Sequence, residues 1–111
     1  MAFQFVTNTS AVPSGTGKLF EVESHRVALF NLNGEFYAID DICTHEEASL
    51  SDGAIEGETV ECPWHGAQFN IKTGAALTMP AVTAVRTYAV KIDGDRILID
   101  VSQESVKAIK A

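Results

Sequence analysis

Phe3 to Thr7 alternates apolar and polar residues, the period of a strand with one buried face, and Leu19 to Val22 continues in kind. Arg26 to Leu32 is followed by Asn33-Gly34 and then by Glu35 to Ile39. An Asn-Gly pair between two strand-like runs is a strong hairpin signal, because both residues tolerate the positive φ of a tight turn. Near the other end, Tyr88 to Ile92 leads through Asp93-Gly94 into Arg96 to Val101, where Ile97 and Ile99 alternate with Leu98 and Asp100. Thr59-Val60-Glu61 and Gln68-Phe69-Asn70 read as further short strands, Lys72-Thr73-Gly74 as the turn beyond them, and Pro13, Ser14, Gly15 and Gly17 as an early loop. Helical periodicity is confined to Glu46 to Leu50, enough for a single turn, and to the polar tail after Val101. The pattern predicts an all-β fold: a small antiparallel β-sandwich or barrel whose two hairpins bracket an inserted subdomain.

A length of 111 residues supports one domain over 1–111, with no internal repeat or linker. Residues 103–111 carry too few large apolar groups to dock and are expected to form a mobile tail. The start, Met1-Ala2-Phe3-Gln4-Phe5, lacks a basic flank followed by an apolar run, and no stretch is long enough to span a bilayer. A soluble cytoplasmic protein is expected. The formal charge is −7, and six of the acids, Glu46, Glu47, Asp52, Glu56, Glu58 and Glu61, fall in one stretch that contains no Lys or Arg. That stretch is either a solvated loop kept soluble by charge or a negative rim that steers the protein onto basic partners. It argues against nucleic acid and anionic membranes as partners.

Within the same stretch stand the chemically informative residues. Cys43-Thr44-His45 and Cys62-Pro63-Trp64-His65-Gly66 together read C-x-H-x16-C-x2-H. Two thiolates and two imidazoles in the order Cys, His, Cys, His could hold one tetrahedral metal, or a 2Fe-2S cluster with both Cys on one iron and both His on the other. Zinc fingers run Cys, Cys, His, His with two or more residues inside each pair. Here each pair contributes one sulfur and one nitrogen, which suits two facing loops gripping a rhomb whose irons need different ligands. The chain has only these two cysteines, so a cluster holding both leaves none for a disulfide, in keeping with a reducing compartment.

Through Cys43-Thr44-His45-Glu46-Glu47-Ala48 and Cys62-Pro63-Trp64-His65-Gly66-Ala67-Gln68-Phe69, the chain resembles the Rieske ferredoxins of bacterial multicomponent aromatic-ring-hydroxylating dioxygenases, over about residues 3–101. The resemblance implies the Rieske iron-sulfur fold, with a cluster-binding subdomain at about 41–81. It also implies one 2Fe-2S cluster, with Cys43 and Cys62 on the inner iron and His45 and His65 on the outer, solvent-facing iron. By the same resemblance the chain would be a one-electron carrier and not an enzyme, and because a shuttle needs one exposed tip and transient docking a monomer is expected. It would take electrons from a flavin-containing NADH-dependent ferredoxin reductase and give them to the Rieske centre of a terminal oxygenase. Two other readings are a Rieske-like small subunit of an NADH-dependent nitrite reductase and a zinc-stabilised interaction module. Those nitrite reductase subunits often lack a full ligand set, which this chain retains.

The departures from relatives carry information too. Respiratory Rieske proteins brace their cluster with a disulfide at the positions of Ala48 and Trp64, which cannot form one here. High-potential relatives place a serine and a tyrosine hydroxyl where this chain has Ala67 and Phe69, and a centre without those donors is expected at roughly −150 to −50 mV, the bottom of the Rieske range. The remaining histidine, His25, reads as an ordinary surface residue, so the mononuclear iron site of the oxygenase subunits cannot be built. Trp64 is expected to shield the cluster, Pro63 to fix the second loop, and Met79-Pro80-Ala81 to match a third loop that covers the cluster in relatives. Asp40 and Asp41, adjacent on an extended chain, point to opposite sides and form no catalytic carboxylate pair.

Overall fold

A computed structural model describes residues 3–42, 49–63, 66–77 and 84–101. The strands among them are β1 (Gln4–Asn8), β2 (Thr16–Val22), β3 (His25–Leu32), β4 (Glu35–Asp40), β5 (Ala54–Glu56), β6 (Thr59–Glu61), β7 (Gln68–Asn70), β8 (Thr87–Asp93) and β9 (Arg96–Asp100). Short 3₁₀ turns occupy Thr9–Ala11 and Leu50–Asp52. Six strands form one antiparallel sheet in the order β1-β9-β8-β4-β3-β2, and the other three form a small sheet in the order β5-β6-β7. The large sheet curls into a nearly closed, barrel-like form, with the Gln4 side-chain amide on β1 donating to the Glu23 carboxylate beyond the end of β2. The all-β reading stands, and its sandwich-or-barrel choice resolves toward a barrel.

β3 explains how the two sheets are joined. Its residues from Val27 to Asn31 are buried without alternation, the sign of a strand covered on both faces. Val27 and Leu29 point into the barrel core with Val12, Val22, Ala38, Tyr88, Ile97 and Ile99. Ala28 and Phe30 point the other way, into a second core with Ile39, Leu50, Val60, Cys62, Ala67, Phe69, Ile71 and Val85. The small sheet therefore packs on the outer face of the barrel, against β3 and β4.

The Asn33-Gly34 hairpin forms as expected, with φ of 57° and 92°. Three other expectations need correction. Gly17 lies within β2 and not in the early loop: it pairs with Phe30, and a Cβ at position 17 would sit 2.4 Å from that ring, so only glycine leaves room for it. The last hairpin turns on Gly94-Asp95, because Asp93 itself pairs with Arg96. Of the helical turn expected over Glu46 to Leu50, only the end is described, and there the turn runs forward over Leu50–Asp52. Expectations for Trp64, for Met79-Pro80-Ala81 and for the tail lie outside the described residues.

Candidate metal centre

The loop that carries Cys62 and His65, the second expected ligand pair, grows out of the β6–β7 hairpin. Glu61 pairs with Gln68, and the chain between them is pinned by Cys62 N donating to Ala67 O at 2.6 Å and Gly66 N donating to Cys62 O at 3.1 Å. Cys62 is 1% exposed, in the core beside Val60, Ala67 and Phe69, while the next residue, Pro63, is exposed. The loop thus fixes one sulfur inside the protein. Gly66 has φ of 76°, and a Cβ there would come within 3.1 Å of the Glu61 carboxylate. Of the four expected ligands, Cys62 is placed this way; Cys43, His45 and His65 lie outside the described residues.

The segment that carries the first expected pair, Cys43 and His45, is flanked by Ile42 and Ser49, and these two residues bridge each other. Asp41 N donates to Arg26 O on β3 at 3.0 Å, and Leu50 N donates to Asp41 O at 2.6 Å. The third segment departs after Leu77, whose N–H donates to Gln68 O on β7 at 2.7 Å, and is anchored on its return by Val85, whose N–H donates to Gly74 O at 2.8 Å. Leu50, Cys62, Ala67 and Val85 share one core cluster, so the topology brings the bases of all three segments together. A buried cysteine in one of two loops whose sequences each carry one Cys and one His fits the donor set expected for a mixed-ligand 2Fe-2S cluster. Burial of a thiolate without a cation would be costly, whereas ligation offsets that cost.

Asp40 and Asp41 diverge as expected. Asp40 accepts from the Tyr88 hydroxyl and from Arg86 N at 3.4 Å, whereas the Asp41 carboxylate serves Ser49 and Ser51. His25 is half-buried, its Nδ1 lying 3.1 Å from Glu23 O and its ring edge-on to Tyr88 at 6.0 Å between centroids. Asp52 at the end of the 3₁₀ turn, Glu56 and Glu61 on the small sheet and Glu58 in the turn between β5 and β6 are all exposed. Lys72, from beyond that acidic stretch, sits 3.4 Å from the Glu58 carboxylate and stacks over Tyr37 at 5.5 Å. Glu58 raises the Lys72 pKa, and the bond from Tyr37 to Glu35 raises that of the tyrosine. Sequence counting overlooked this pairing because Lys72 lies outside the acidic segment, and the rim is correspondingly less negative at Glu58.

A Rieske [2Fe-2S] domain model matches residues 2–89. The chain belongs to the Rieske 2Fe-2S domain family. One 2Fe-2S cluster is accordingly its cofactor. The chain is 44% identical over 91 residues to the ferredoxin component of a naphthalene 1,2-dioxygenase system from Pseudomonas aeruginosa, covering 82% of this chain and 88% of the relative. The ferredoxin of carbazole 1,9a-dioxygenase from Nocardioides aromaticivorans IC177 superposes with a TM-score of 0.85 at 33% identity, covering 89% of this chain and 97% of that one. A chain from the complex of reduced oxygenase and oxidized ferredoxin in carbazole 1,9a-dioxygenase gives a TM-score of 0.85 at 28% identity, covering 94% of this chain and 96% of that one. Among the described residues of this Rieske protein no helix is long and apolar enough to cross a membrane.

Proposed function

We propose that this Rieske protein is the one-electron carrier of an aromatic-ring dioxygenase system. It accepts electrons from an NADH-dependent flavin reductase, passes them to the Rieske centre of a terminal oxygenase, and has no catalytic site of its own. Cys43 and Cys62 hold the inner iron, and His45 and His65 the outer one. The cluster supplies reversible one-electron chemistry when bound. The protein works as a soluble cytoplasmic monomer, since a shuttle needs one docking end and transient contacts. The observation that carries this reading is the buried Cys62 at the base of a pinned hairpin loop, in a chain whose relatives are dioxygenase ferredoxins along most of their length. Exposed Glu56 and Glu61 on the same small sheet, with Asp52 at the end of the preceding 3₁₀ turn, give this region a negative surface that favours salt-sensitive encounters with basic partner faces.

Ala67 and Phe69 are fully buried in the core that contains Cys62 and carry no hydroxyl to stabilise added charge. The expected potential is roughly −150 to −50 mV, low within the Rieske range. Electron paramagnetic resonance of the dithionite-reduced protein, with iron and sulfide analysis and a redox titration, tests the assignment. A rhombic signal of low average g, two irons and two sulfides, and a potential in that window are expected. Phe69→Tyr and Ala67→Ser should raise the potential, by about 59 mV for each hydrogen bond that favours the reduced state by about 1.4 kcal/mol. A silent, colourless protein holding zinc would overturn the redox reading, and a wild-type potential well above zero would overturn the placement beside a dioxygenase.

A further inference from the structure

The Asp41 carboxylate is fully buried, yet Arg26, its one cation within ion-pair distance among the described residues, is 3.4 Å away with a side chain 47% exposed. A long, half-solvated contact of this kind offsets little of the cost of burying a charge. The stronger bonds run elsewhere. Asp41 Oδ1 accepts from Ser51 N at 2.9 Å, and Oδ2 accepts from the Ser49 hydroxyl, which also lies 2.9 Å from Ser51 Oγ. The Asp41 backbone accepts from Leu50 N at 2.6 Å and donates to Arg26 O at 3.0 Å. One residue thus binds three consecutive residues, Ser49 to Ser51, and ties them to β3. Ser49 is the N-cap of the Leu50–Asp52 turn but makes no side-chain cap bond itself. Asp41 supplies that cap from across the gap where the chain leaves for residues 43–48.

We propose that Asp41 is the positioning residue of the first ligand loop, a buried clamp that locks both bases of segment 43–48 in one register. The proposal rests on the assignment of Cys43 and His45 as ligands. Asp41 stands two positions before Cys43 and four before His45, so a slip of either base shifts both ligands relative to Cys62, which is fixed independently on β6 and β7. A fully desolvated carboxylate suits this task, since water does not compete with its acceptor bonds. Asparagine keeps only one of the two acceptor oxygens, so in Asp41→Asn the Ser51 amide and the Ser49 hydroxyl no longer each have a carboxylate oxygen to bond.

The test compares wild type with Asp41→Asn, Ser49→Ala and Arg26→Gln as purified holoproteins. Hydrogen exchange is followed by peptide, and in the dithionite-reduced proteins cluster release to a ferrous chelator is followed by absorbance and the g-values by electron paramagnetic resonance. Asp41→Asn should speed exchange in peptides covering 42–51 at least tenfold, speed cluster release at least tenfold and shift the g-values, while β8–β9 peptides exchange as in wild type. Ser49→Ala, which removes a single donor, should give a smaller change of the same kind. Arg26→Gln should stay within about twofold of wild type, because its half-solvated contact contributes little. Wild-type exchange and release in both Asp41→Asn and Ser49→Ala would overturn the clamp, as would exchange that rises equally throughout the barrel. If Asp41→Asn yields no folded protein, Ser49→Ala decides by the same criteria. A wild-type protein holding zinc would refute the cluster reading, and exchange over 42–51 would still decide the clamp.

Discussion

Gly17→Ala is a sharp probe of how the barrel and the small sheet share β3. The glycine pairs with Phe30, and a Cβ on it would lie 2.4 Å from Cε1 and 2.5 Å from Cδ1 of that ring. Unbonded carbons rest about 3.5–4.0 Å apart, so the ring or the strand must yield by about 1 Å. Phe30 has little freedom to yield, being fully buried in the core that also contains Cys62 and Phe69. Overpacking of this kind costs about 1–3 kcal/mol. Replacing glycine also restricts the unfolded chain, a gain of about 0.4–1 kcal/mol. The net expectation is a loss of about 1–2 kcal/mol, read as a lower urea midpoint with an unchanged slope. Phe30→Leu clears the space, so adding Gly17→Ala to that variant should cost far less than adding it to wild type, with a coupling of about 1 kcal/mol or more. Undiminished stability of Gly17→Ala, or simple additivity in the double variant, would refute the packing argument.

Two further predictions concern turns and polar contacts. Glu23 and Ser24 join β2 to β3 with φ of 49° and 72°, a left-handed conformation unfavourable for non-glycine residues; Ser24→Gly should raise stability by about 0.5–1 kcal/mol in urea unfolding, and a loss would show that the turn is not strained. The bond to Glu35 raises the Tyr37 pKa, and Glu58 raises that of Lys72. Both folded values exceed the unfolded ones, so this stabilisation is complete below about pH 10 and is lost as pH rises through the folded values. Thermal midpoints from pH 8 to 11 should therefore fall more steeply for wild type than for a Tyr37→Phe/Lys72→Met double variant, and equal slopes would contradict the linkage.

What the sequence revealed depended on whether a feature was written in neighbouring residues. Asn33-Gly34 declares its turn locally, and the stretches around the Cys and His pairs carried the resemblance to the Rieske family that the domain match bears out. Glu23-Ser24 makes an equally tight turn with residues that carry no such signal, because the strands on either side impose it. β5 escaped notice since three residues, Ala54–Glu56, form a strand only by pairing with β6. The assignment of Gly17 to a loop failed because the reason for that glycine is an aromatic ring on the next strand. Asp41 was legible as a residue without catalytic partners but not as a clamp, for its bonds reach Ser49 and Ser51 only after the chain has gone out and returned.

The same dependence on distant residues explains how so small a sheet can hold a ligand loop steady. β5, β6 and β7 have three residues each, too few to be stable as an isolated sheet. Their inward residues Ile55, Val60 and Phe69 gain burial only by packing with Phe30, Ala28 and Ile39 from the large sheet. β3 supplies both Phe30, fully buried in that core, and the Arg26 carbonyl that accepts from Asp41. The second loop is thus held by packing against β3, and the first by hydrogen bonding to it. The relative placement of the bases of the two loops is accordingly set by the barrel, through one strand, and on the proposed ligand assignment a change that moves β3 should disturb the cluster more than an equally destabilising change in β1 or β9.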